Sequence, residues 1–295
     1  MIKSDKMQLT FVATGFLTVL LYNVLLLDVS LTLMLVILGV GVSIFGIPHG
    51  AIDGYLAQKT GFTKDLKSAC VFVFAYVLIS GLVVGAWFLA PDAMFLIFII
   101  TTAWHFGEDG GAQKPLDRML FGSCIIALPA LFHSNSTAEL FQLLSITNSV
   151  DFVGYMQTLG PILVLASMTL SLLRKSSVTK TTISAVTILA IVFFAYALPP
   201  LLFFTVYFCA LHSPRHFKSI AVAVPRQERR NFISLTIIYT LATIVLASAA
   251  FWLLISYVVF DQAFVLVIFV GLAALTVPHM ILVDGIWVYC QKKLA

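Results

Sequence analysis

The chain of 295 residues is 61% hydrophobic and 10% charged, with a mean hydropathy of +1.06. Apolar residues far exceed the roughly half expected of a soluble domain, so the composition excludes a water-soluble enzyme and points to one integral membrane domain, 1–295. The net charge of +4 leaves no basic stripe with interleaved aromatics, so no nucleic-acid partner is expected.

Hydrophobic runs near the roughly twenty residues that span a hydrocarbon core fall, in chain order, at about 8–27, 31–50, 69–90, 152–173, 181–198, 199–217, 232–257 and 263–288. Shorter runs lie near 93–107 and 118–133. Barrel strands need only about ten alternating residues, so run length predicts an all-α, polytopic helical membrane protein with about ten transmembrane helices, eight at the least. The first run follows Lys3 and Lys6 but is longer than a signal-peptide core and lacks a small-residue cleavage motif, so it is read as an anchor helix.

Charge order predicts orientation. With ten crossings, one side receives Lys3 and Lys6, then Lys59, Lys64 and Lys67, then Lys114 and Arg118, then Arg174, Lys175 and Lys180, then the stretch from Arg215 to Arg230, and finally Lys292 and Lys293. The other side receives Asp28, Asp92, Glu139, Asp151, the Pro199-Pro200 corner and Asp261, with no base. The positive-inside bias then places both termini in the cytoplasm, as expected for a multi-pass protein of the cell (inner) membrane. If the two short runs form a re-entrant pair instead, the parity of every later loop is unchanged. Cys70, Cys124, Cys209 and Cys290 are dispersed, and neither a disulfide framework nor a cysteine-zinc site is expected.

Against this topology the histidines are not scattered. His49 closes the second run, His105 the fourth, His212 and His216 the eighth, and His279 lies in the cytoplasmic half of the tenth. Ionisable groups at one membrane depth are costly and point to a shared site. His133 ends the fifth run on the opposite side and is read as an interfacial, hydrogen-bonded residue. His212 and His216 stand four apart, about 40° on a helical face, and suit one metal held from successive turns. Pro214 between them removes an N–H and frees the carbonyl of Ala210, either kinking the helix or making the spacing non-helical. Acids accompany the histidines at helical spacing: Asp53 after His49, Glu108 and Asp109 after His105, and Asp284 after His279. They are expected either to hold the ligands' second ring nitrogen or to ligate themselves. Imidazole suits zinc, copper, iron and nickel; HExxH is absent, and several imidazoles with spare positions suit ferrous iron, Fe(2+). Trp87 and Trp252 are read as anchors or packing.

The stretches GIPHGAID, HFGED, YALPPLLFFTVYFCALHSPRHF and GLAALTVPHMILVD resemble the Brp/Blh family of membrane beta-carotene 15,15'-dioxygenases over about 44–286, the expected catalytic region. The resemblance implies an iron(II) enzyme that uses O2 to split beta-carotene into two all-trans-retinal, linked in function to a microbial rhodopsin. It implies His49, His105, His212 and His216 as metal ligands, with His279 a fifth ligand or an outer partner and no further catalytic residue. Pro214 and the acids Glu108-Asp109 depart from the pattern and bear on ligand geometry. Other classes remain open: a diiron hydroxylase, a histidine-rich transporter, or a carotenoid- or haem-binding protein without cleavage activity.

Overall fold

The computed structural model describes residues 2–25, 29–111, 114–173 and 178–287. Asp28, Arg174, Lys175, Cys290, Lys292 and Lys293, used above for orientation or redox state, lie outside the described residues. Among the described residues every regular element is a helix and none is a strand. That follows from the composition, because in a bilayer each backbone polar group must be satisfied within its own segment.

Among the described residues, seven helices are long and apolar enough to cross a membrane: Met7–Val24, Leu31–Lys59, Leu66–Leu89, Pro115–Phe132, Ser149–Leu173, Arg226–Leu254 and Phe260–Gly285. The run expected at 181–198 lies in the helix Val178–Ala197, while the runs at 93–107 and 199–217 form shorter pieces. Pro91–Phe106 has 16 residues, about 24 Å at 1.5 Å per residue, less than the roughly 30 Å of hydrocarbon. The run expected at 199–217 is Pro200–Tyr207, a π-helical turn Phe208–His212, then Ser213–Ala223, whose Arg215, His216 and Lys218 make it amphipathic. Helix Leu66–Leu89 begins on a capping box in which Asp65 accepts from Ser68 N at 2.8 Å. That backbone N–H, with the Ser68 hydroxyl, holds the exposed Asp65 carboxyl below its ordinary range.

The contacts divide the chain into two compact units. The first comprises Met1–Gly41 and Phe95–Arg215. In it Pro115–Phe132 packs along Ser149–Leu173, Val178–Ala197 covers both, and Pro200–Tyr207 packs on Leu31–Gly41. Two glycines let backbones approach where any side chain would collide. A Cβ on Gly122 would lie 1.8 Å from the Ala103 carbonyl oxygen, and one on Gly107 would lie 2.0 Å from that of Arg118. The second unit comprises Val42–Met94 and His216–Ala295. There Gly271–Met280 packs on Leu66–Leu89, and Arg229–Leu254 covers Ile47–Ala51 and Asp53–Lys59. A core of Ile52, Tyr55, Leu56, Val224, Phe232 and Leu282 sits beneath.

Trp87 is fully buried and so packs inside the protein, whereas Trp252 is exposed. Cys70, Cys124 and Cys209 are free thiols.

Candidate functional site

Each proline beside a candidate histidine has a π-helical turn close by in sequence. Val42–Gly46 precedes Pro48-His49, Phe208–His212 precedes Pro214, and Leu266–Val270 and Ile281–Trp287 flank the helix carrying Pro278-His279. A π turn lets the chain absorb a missing N–H by bonding one residue further on, and such turns concentrate at functional sites. Ala210, whose carbonyl Pro214 leaves without its usual partner, lies inside one of them. The pair His212 and His216 therefore spans a change from π to α winding, and its spacing is not that of a regular helix.

In the first unit the buried Asp109 is a hub. His212 donates from Nδ1 to Oδ2 at 2.8 Å, and the Tyr207 hydroxyl donates to the same oxygen at 2.7 Å. Arg215 donates from Nη1 to the Asp109 carbonyl and reaches Oδ1 at 3.4 Å. The His105 ring meets that of His212 edge to face with centroids 4.8 Å apart, and both are buried. Phe106, 4.6 Å away, and Phe208, 5.5 Å away, complete an aromatic surround for His212.

The second unit repeats the motif with different residues. Nδ1 of the buried His279 contacts the buried Asp53 at 2.9 Å from Oδ1 and 3.0 Å from Oδ2. The Tyr76 hydroxyl donates to Oδ2 of Asp53 at 2.9 Å. Around His279 lie His49 and His216, with ring centroids 5.0 and 5.3 Å away, and those two rings are 4.4 Å from each other. Ring nitrogens of His49 and His279 come within 4.8 Å, a separation that ligands of one ion can have.

The acids therefore pair differently from their spacing in sequence. Asp53 serves His279 rather than His49, and Asp109 serves His212 rather than His105. Glu108 pairs with Arg118 at 2.9 Å, while Arg118 also donates to the Trp104 carbonyl at 2.6 Å and lies over its ring. Asp284 is half-buried in the turn Ile281–Trp287, and it is Asp53 that engages Nδ1 of His279. Each acid is met by an imidazole from a distant part of the chain, which also packs against the histidine nearest the acid in sequence. His133 stands apart, with Nε2 3.1 Å from the Tyr196 carbonyl. Tyr76, Tyr207 and the aromatic surround escaped the sequence reading; only Tyr207, five residues before His212, offered a signal.

The donor sets fit a first-row metal. An imidazole whose Nδ1 is held by a buried carboxylate presents Nε2 as a ligand, the arrangement found around metal-bound histidines. His212 and His279 both have it, with Nε2 buried.

A family model described as beta-carotene 15,15'-dioxygenase matches residues 40–287, most of the chain. The chain belongs to that family. All five clustered histidines and both carboxylate hubs fall inside the matched segment. A family relative, the "Beta-carotene 15,15'-dioxygenase" of Uncultured marine bacterium 66A03, is 27% identical over 254 residues, covering 82% of this chain and 90% of that protein. No solved structure matches the chain at a significant level.

Proposed function

We propose that the chain is an iron(II)-dependent dioxygenase that cleaves beta-carotene at its central 15,15' double bond with O2, giving two all-trans-retinal. Its iron ligands are His49, His105, His212 and His216. It lies in the cell inner membrane with about ten crossings, eight at the least, and both termini and the histidine-bearing helix ends face the cytoplasm.

Membership of the family supports the reading, and one observation carries it. Buried carboxylates hold Nδ1 of two buried imidazoles, Asp109 on His212 and Asp53 on His279, in helices otherwise built for lipid. Burying two acids and their partners in an apolar protein is expensive, and a fold keeps such groups where they serve a site.

Iron(II), when bound, supplies the one-electron chemistry by which triplet dioxygen reacts with a closed-shell polyene. The chain's residues do the rest. Asp109, fixed by Tyr207 and Arg215, fixes in turn the tautomer and orientation of His212. Phe106 and Phe208 keep water from that ring. Exposed side chains such as Phe74, Leu82, Leu165 and Leu246 face the hydrocarbon in which beta-carotene dissolves, so substrate reaches the protein through the bilayer. A nucleophile and a general acid are not required, since both oxygens come from O2. A microbial rhodopsin is a fitting consumer of the product.

The test is expression in bacterial cells that accumulate beta-carotene, with colour and extracted retinoids followed by chromatography. Bleaching with all-trans-retinal as product, lost in His212→Ala, supports the reading. Persistent colour with well-folded, iron-loaded protein overturns it in favour of a binding role.

A further inference from the structure

We infer that His279 is an iron ligand, held for that purpose by Asp53 and Tyr76 as His212 is held by Asp109 and Tyr207. The inference deepens the iron reading above and depends on it.

Three features carry it. The first is equivalence: in each unit one buried aspartate takes a tyrosine hydroxyl on Oδ2 and an imidazole Nδ1, at 2.7 and 2.8 Å for Asp109 and at 2.9 and 3.0 Å for Asp53. An imidazole serving only as outer partner to another histidine would direct a nitrogen at that histidine. His279 instead commits Nδ1 to a carboxylate, the tautomer that turns Nε2 toward a metal. The second is company. His279 packs against His49 and His216, both proposed ligands, at centroid separations of 5.0 and 5.3 Å, and its nitrogen lies within 4.8 Å of one on His49. The third is anchoring. His279 sits between two π-helical turns in a helix packed on Leu66–Leu89, which supplies Tyr76. Tyr76 also approaches the Leu275 carbonyl, at 3.4 Å, one turn before His279. Tyr76 and Asp53 are thus positioning residues, acting through the imidazole.

The experiment uses the full chain, purified in detergent, titrated with Fe(II) and examined by iron X-ray absorption, which counts imidazole ligands. His279→Gly removes the ring. Because it leaves the Asp53 carboxylate buried without its imidazole, the double variant Asp53→Asn/His279→Gln, a neutral hydrogen-bonding pair, is measured beside it. Loss of a ligand is expected to weaken iron binding by more than about 100-fold, beyond the roughly 10–100-fold of a lost outer partner. The imidazole count should fall by one in the double variant and stay unchanged in Tyr76→Phe, while free imidazole should restore iron to His279→Gly. An unchanged imidazole count in the double variant overturns the inference, whatever the affinity, and leaves the proposed dioxygenase standing. Wild-type protein that takes up no iron overturns the iron reading itself, and the inference with it.

Discussion

Asp109 and His212 meet at 2.8 Å across 103 positions of sequence, and the carboxylate oxygen involved also accepts the Tyr207 hydroxyl. Asp53, Tyr76 and His279 reproduce the arrangement in the other unit, with Asp53 and His279 separated by 226 positions. A carboxylate that satisfies two donors at once is rigid, and its rigidity passes to the imidazole. The tyrosines therefore act on the imidazoles through the carboxylates.

Tyr207→Phe and Tyr76→Phe each remove one donor from a buried carboxylate and leave the aromatic packing. The expected cost is about 1–3 kcal/mol of stability, read as a lower melting temperature in detergent. Iron affinity should fall roughly 10–100-fold, with retinal formation falling in step. Full iron retention in both variants would show the hydroxyls to be structural only.

Gly122 sets how closely Pro115–Phe132 approaches the helix Pro91–Phe106, which carries His105. Its missing Cβ would otherwise lie 1.8 Å from the carbonyl oxygen of Ala103, two residues before His105. Neither group can retreat without moving a helix backbone. Gly122→Ala should cost about 3 kcal/mol or more and shift His105. Gly81→Ala, where nothing lies within 4 Å of the added carbon, should be neutral or slightly stabilising. Equal melting temperatures for the two variants would refute the close approach.

The helical class was legible because run length alone decides it in so apolar a chain. His49, His105, His212 and His216 were legible because they lie at the ends of hydrophobic runs, and His279 because it interrupts one, where an ionisable group stands out. The acids' partners were not, since reading Asp53 with His49 and Asp109 with His105 assumed unbroken 3.6-residue winding. Each carboxylate is engaged by an imidazole 103 or 226 positions away, a pairing that only the packed structure shows. Tyr76 was invisible for a different reason: one tyrosine in the apolar helix Leu66–Leu89 looks like any interfacial aromatic until its hydroxyl is placed on Asp53.

His133 provides the internal control. It makes a 3.1 Å contact to the Tyr196 carbonyl from a half-buried position and joins neither histidine group. His133→Ala should leave retinal formation within about twofold of wild type and stability within about 1 kcal/mol. His49→Ala, His105→Ala, His212→Ala and His216→Ala should each abolish it. Equal sensitivity at His133 would sink the assignment of the site.

Orientation can be read chemically from two turns of the second unit. The turn at 60–65 lies among Lys59, Lys64 and Lys67, whereas the turn at 255–259 has no base and precedes Asp261. In the proposed orientation, a cysteine placed at Thr63 lies inside the cell and one at Ser256 outside. In a background without native cysteines, an impermeant maleimide should label Ser256→Cys in intact cells, and Thr63→Cys only after permeabilisation. The reverse pattern would turn the protein over in the membrane and move the histidine-bearing helix ends to the outer face. Labelling of both in intact cells would break the alternation of basic and acidic loops on which the proposed topology rests.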